Sequence, residues 1–123
     1  MANPNIVNVT TIYGNTSYLI PSTTSATTWT ALTPAAGTVN KIDNIVAANV
    51  TGSNVTVTVA INSAAAGAGT NYRLVYQVSV PVNASIVVAD KSTAFYLGEA
   101  QSIVVTVGTA SAIELTASYE AIT

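Results

Sequence analysis

The strongest constraint on this chain is a two-residue hydrophobic rhythm. Val55, Val57, Val59 and Ile61 alternate with Asn54, Thr56, Thr58 and Ala60. Successive side chains of a strand point to opposite faces. This spacing therefore puts four branched apolar groups on one face and small, mostly polar ones on the other. Leu74, Tyr76, Val78 and Val80 repeat the rhythm against Arg73, Gln77 and Ser79. So do Ile113, Leu115, Ala117 and Tyr119 against Glu114, Thr116, Ser118 and Glu120, and Ile103, Val105 and Val107, where Val104 breaks the polar side. Val, Ile and Thr are stiff at χ1 and fit a pleated surface, so propensity and pattern agree.

The rhythm predicts strands near 5–13, 16–20, 26–32, 38–50, 54–62, 71–80, 84–89, 94–97, 101–107 and 112–121. Turn signals separate them, among them Gly14-Asn15, Pro81, Asp90-Lys91 and Gly98-Glu99. The stretch Thr51-Gly52-Ser53-Asn54 lies between two apolar alternations and reads as a hairpin turn. Ser63 to Thr70 is small-residue sequence and reads as a longer, flexible exposed loop. Many short strands without a helix imply two sheets packed face to face, because one sheet would leave its Val and Ile face wet. The expected fold is all-β, an antiparallel two-sheet β-sandwich of jelly-roll or Ig-like type with an extended N-terminal segment. Residues 1–37 alternate more weakly and read as an arm with one or two added strands; residues 38–123 read as the compact sandwich.

A chain of 123 residues suits one domain, and half of them are hydrophobic while only 7% are charged, against a usual ~25%. That balance argues against intrinsic disorder. There is no cysteine and no histidine, which removes disulfides, thiol catalysis, the commonest general base and the commonest neutral metal ligand. Lys41, Arg73 and Lys91 are too few to neutralise a nucleic-acid backbone. No apolar run approaches the ~20 residues that span a bilayer, and Met1 to Asn5 has no secretory pattern, so synthesis in the cytosol is expected.

The carboxylates are scattered. Glu114 and Glu120 share one strand face about 20 Å apart, too far for either glycosidase geometry. Asp90 sits beside Lys91 in a turn, where bonding to backbone is the ordinary role, Glu99 follows Gly98 in another turn, and Asp43 has no acidic neighbour. No spaced ligand set for calcium appears, and the serines have no evident base to activate them. No catalytic, cofactor-binding or metal-ligating residue is assigned, and the chain is expected not to be an enzyme. The Asn-x-Ser/Thr triplets at Asn8, Asn15, Asn49, Asn54 and Asn83 are read as chance in a chain so rich in these residues.

Tyr76 and Tyr119 fall in phase with apolar faces and are expected in the core. Of the adjacent Phe95 and Tyr96, one must point inward and one outward. Trp29 reads either as core for an added strand or as an anchor in a partner's pocket, since Trp is enriched at interface hot spots. Residues 1–31 hold no charged side chain, and Ile6, Val9, Ile12 and Trp29 are the candidate partner-interface residues there. The poverty of charge extends to strand faces that should be wet. Faces of Thr, Ser, Asn and Ala pack against another protein without burying an unpaired charge, so much of this surface is expected to be covered in an assembly.

One resemblance sharpens this. Leu32-Thr-Pro-Ala-Ala-Gly-Thr-Val-Asn-Lys-Ile-Asp-Asn-Ile-Val-Ala-Ala-Asn-Val50, then Gly52 and Val55 to Ile61, resembles small virion proteins of tailed bacteriophages, notably those of cyanobacteria. The likeness continues through Val80-Pro81, Ile86-Val87-Val88, Asp90-Lys91, Tyr96 to Glu99, Ile103 to Val107 and Ser118-Tyr119-Glu120, and covers residues 32–121. It implies a sandwich fold, no cofactor, and a capsid decoration (cement) protein that clamps major capsid subunits on the virion surface as a homo-oligomer, made in the host cytoplasm and without nucleic-acid or membrane partners. A tail, neck or fibre component is the alternative within that class. A carbohydrate-binding sandwich module is the alternative outside it.

Overall fold

The computed structural model describes residues 4–123. Among these residues nine strands form two antiparallel sheets. The first holds β1 (Ile12–Leu19), β9 (Ile113–Ile122), β3 (Val39–Asn49) and β6 (Ser85–Ala89) in that order, with β7 (Phe95–Leu97) also pairing β3. The second holds β2 (Thr27–Thr28), β8 (Ser102–Val107), β4 (Val55–Asn62) and β5 (Asn71–Val80). The first strand pairs the last, β2 pairs β8, β3 pairs β6 and β7, and β4 pairs β5. That is one long hairpin folded over on itself, with β6 and β7 as halves of a single interrupted strand. Of the two windings expected, the chain has the jelly roll.

The core lies between the sheets and follows the alternation. Val55, Val57 and Val59 of β4 meet Ile103, Val105 and Val107 of β8 and, from the facing sheet, Ile42, Ile45, Ile113, Leu115 and Ala117. Val57 and Val105 are fully buried. Truncating either to Ala should lower stability by about 1–3 kcal/mol, the lost transfer term plus a partly collapsed cavity. Denaturant midpoints equal to the parent's would show that these faces are not the core.

Strands β3 to β9 lie within a residue or two of their expected spans. The first 37 residues differ more. Residues 5–8 form a turn, with the Asn8 N–H donating to the Asn5 carbonyl at 3.0 Å. Gly14-Asn15, expected as a turn, sits inside β1, which pairs with β9 from Ile12↔Ile122 to Leu19↔Leu115. The region does supply two strands, one to each sheet, but its Trp29 and Leu32 belong to the same core as the rest. The expected division at residue 37 marks no break in the packing.

Three further expectations change. Thr51 to Asn54 joins β3 of one sheet to β4 of the other, so it is an arch rather than a hairpin turn. Buried Asn49 fixes it. Its Nδ2 donates to the carbonyls of Ser53 (2.7 Å) and Val80 (3.0 Å), and its Oδ1 accepts from the Thr51 N–H (2.9 Å) and hydroxyl (2.8 Å). All four hydrogen-bonding positions of the amide are used, as a buried Asn requires.

The loop at 63–70 is exposed but tied. Buried Asn62 holds the Ala64 and Gly69 N–H groups and the Gly69 carbonyl, and the Ser102 hydroxyl bridges the Ala64 carbonyl and the Gly67 N–H. Gly67 has φ +73°, and a Cβ there would meet Thr28 Oγ1 at 2.8 Å, so only glycine lets the loop lie against the second sheet.

Tyr76 is 60% exposed, not core. Register shifts on β5 between Val78 and Val75 accompany a left-handed Gln77 (φ +48°), whose N–H is received by the Thr58 hydroxyl at 2.9 Å. A bulge adds a residue, and an added residue reverses the faces beyond it. Tyr119 does pack against the core, as does Phe95, while Tyr96 points outward.

Candidate functional site

Two parts of the surface stand out, and they adjoin where Gly14 of β1 lies opposite Glu120 of β9. The first is apolar and comes from the start of the chain. Ile6, Val7, Ile12, Tyr13, Tyr18 and Ile20 are half of the exposed large apolar side chains among the described residues. The charge-free run of sequence that supplies them ends only at Lys41. Beyond its turn, the N-terminal segment is held where the Thr10 and Thr11 N–H groups donate to the Thr123 carbonyl. Pro4 and Ile6 line a shallow cavity of about 220 Å³ with Val39 and Tyr96 on the outer side of the first sheet.

The sequence-derived interface residues divide on this geometry. Ile6 is 54% exposed and Ile12 53%, so both are free for contact, and Val9 is half-buried. Trp29 is 1% exposed and cannot enter a partner's pocket. Its backbone N–H donates to the Ile103 carbonyl at 2.8 Å and its indole Nε1–H to the Ser17 hydroxyl at 3.0 Å. Of its two readings, the core reading holds. A buried indole needs a partner for its N–H, and β1 supplies it.

The second region is polar. Lys41, Asp43, Asp90 and Lys91, with Asn44, Val46, Val87 and Ala94, line an open groove of about 430 Å³ on the first sheet. Lys41 lies 3.9 Å from Asp43 and 3.7 Å from Glu120. Five of the eight charged residues thus gather in one place, four lining the groove and Glu120 beside it. Backbone irregularity makes the groove. β3 bulges at Asp43, and opposite it the chain leaves the sheet between β6 and β7 in a short 3-10 turn at Lys91–Thr93.

Asp90 caps that turn, accepting from the Ser92 and Thr93 N–H groups and the Ser92 hydroxyl. The Ser92 bonds, and then those of Thr93, hold the Asp90 carboxyl below the ordinary Asp range. Its main work is therefore structural, as the turn reading expected. The Lys41 pairs are exposed and worth little to stability. Among the described residues no three carboxylates come together as a cation would need. No helix of the described chain is long and apolar enough to cross a membrane.

Sequence reasoning missed the buried polar residues Asn40, Asn49, Asn62 and Ser102, which carry loop geometry rather than chemistry. It also missed Glu99 as an interior group. Glu99 Oε2 accepts the Gly37 N–H at 2.7 Å across 62 positions of sequence, pinning the turn before β3. Nothing local in the sequence distinguishes these from surface Asn, Ser and Glu. Compared with protein-family models and with curated proteins, the chain matches none.

Proposed function

We propose that this chain is a non-enzymatic structural protein of a phage virion, a decoration (cement) protein that holds neighbouring major capsid subunits together on the capsid surface. The observation that carries the reading is the surface. Four of its eight charged residues line one groove, while Ile6, Ile12, Tyr13 and Tyr18 stand exposed on a segment of chain without a charged side chain. A free domain keeps roughly a quarter to a third of its surface residues charged for solubility. A surface covered by protein has no such need, and uncharged contacts leave no ion buried without a partner.

The jelly roll itself is shared by viral capsid domains and lectins, so the fold does not choose between them. The likeness of residues 32–121 to small virion proteins adds weight to the first. In this reading Ile6, Val9 and Ile12 meet the capsid subunit, and Trp29 holds β1 in place from within.

The test is to purify the particles made by cells that carry this gene and to locate the chain in a low-resolution map. Repeating density on the head is the expected result. Density on the tail or neck would select that alternative, and absence from particles would overturn the reading. The groove of Lys41, Asp43, Asn44, Asp90 and Lys91 favours a second reading, a site for a polar saccharide with Val46 and Val87 as its apolar floor. A glycan array separates the two: binding lost on Lys91→Ala would support the saccharide, and no binding would dismiss it.

A further inference from the structure

A jelly roll has four sheet edges, and native edges are blunted by shortness, bulges, charge or proline. Three of these edges are blunted. β2 is two residues long; β6 ends after five and is separated from β7 by the turn bearing Lys91; β5 carries the Gln77 bulge and Arg73. The fourth edge is β1. It runs eight residues, pairs only with β9 among the described residues, and contains no charge, no proline and no register shift.

Its free hydrogen-bonding groups can be assigned. Thr123 donates to the Thr11 carbonyl at 2.9 Å and accepts from the Thr11 N–H at 3.3 Å, so that pair exchanges both bonds. Antiparallel ladders alternate. Odd-numbered residues of β1 therefore bond β9, and Ile12, Gly14, Thr16 and Tyr18 direct their N–H and C=O groups away from the sheet.

We propose that β1 is a self-association edge: two copies of this chain pair through it, antiparallel, about a two-fold axis at Asn15. This continues the first sheet across the dimer and does not depend on the virion reading. A two-fold axis normal to the sheet keeps each face on its own side, so it matches even-numbered residues with even-numbered ones. Ile12 then lies opposite Tyr18 and Gly14 opposite Thr16, each twice, and all the free groups between Ile12 and Tyr18 are satisfied.

Aromatic against β-branched is a favourable cross-strand pair, and here both members are exposed in the single chain. The occupant follows from charge. A strand with no charged residue offers nothing to a basic or acidic peptide, whereas a second copy brings an equally uncharged strand and no like-charge clash. A contact this narrow is at the small end of stable interfaces, so dissociation is expected at roughly micromolar concentration.

The absence of cysteine makes the geometry testable in the whole protein. At the axis Asn15 faces its own copy in a non-hydrogen-bonded pair, about 4.5 Å between Cα atoms, within the usual disulfide range of about 4.4–6.8 Å. Asn15→Cys should oxidise to a covalent dimer many times faster than Ser79→Cys, an exposed control on the β5 edge. In sedimentation the parent chain should shift from dimer to monomer on dilution. Tyr18→Lys, a charge on an exposed face, should be monomeric throughout with an unchanged circular dichroism spectrum. Equal oxidation rates for the two cysteine variants, or a parent chain that is monomeric at every concentration, would overturn the proposal.

Discussion

Deleting residues 4–24 should leave a chain that no longer unfolds cooperatively. An N-terminal arm could be lost without harm; an integral strand cannot. The deletion removes β1 and its whole ladder with β9, from Ile12↔Ile122 to Leu19↔Leu115. It uncovers β9, whose Ile113, Leu115 and Ala117 are core. It also takes away the Ser17 hydroxyl that receives the buried indole N–H of Trp29, and a buried donor left unpaired costs about 1–3 kcal/mol by itself. Domains of this size hold roughly 5–15 kcal/mol in all, and the lost apolar contacts come on top. A broad, non-cooperative denaturant transition is the expected result. A sharp transition at the parent's midpoint would show that β1 is an appendage.

Trp29→Ala should be the most damaging single substitution, at about 3–5 kcal/mol, the range for a large aromatic truncated in a core. Trp29 is among the largest fully buried side chains and is bonded on two sides, to Ile103 through its backbone and to Ser17 through its ring. Trp29→Phe keeps most of the apolar contact and loses the ring N–H, so its loss should be clearly smaller. Paired melts of the two variants separate packing from hydrogen bonding. If Trp29→Ala melts with the parent but fails to bind its partner, the residue is an interface anchor after all.

How legible the fold was depended on how each strand is buried. β4, β8 and β9 lie inside their sheets, so burial imposes alternation and their sequences show it. β1 is an edge, and only Ser17 and Leu19 among its residues are buried or half-buried. Without alternation, Gly14-Asn15 looked like a turn, because glycine in an exposed strand carries the same local signal as glycine in a turn. Tyr76 was in phase by count and out of phase in space, since a bulge at Gln77 reverses the faces and leaves no compositional mark.

The arch at Thr51 to Asn54 failed as a hairpin for a different reason. Turn residues mark where a chain reverses, not which sheet it enters next. Asn49 makes that choice by reaching the Val80 carbonyl 31 positions away, a contact that no local window contains. The candidate contact surface was legible in part. Its lack of charge is plain in residues 1–31, but the exposure of Ile6 and Ile12 and the burial of Trp29 follow only from their neighbours in space.

The proposed virion role requires that the uncharged surface of this sandwich be covered by protein. Occupancy of the chain on purified particles, measured by gel densitometry from about 0.05 M to about 0.5 M salt, tests it directly, because raising ionic strength over that range shortens the screening length several-fold. Attachment through Ile6, Val9 and Ile12 predicts occupancy that stays nearly constant. A steep loss at high salt would contradict it and would move the contact to the groove of Lys41, Asp90 and Lys91.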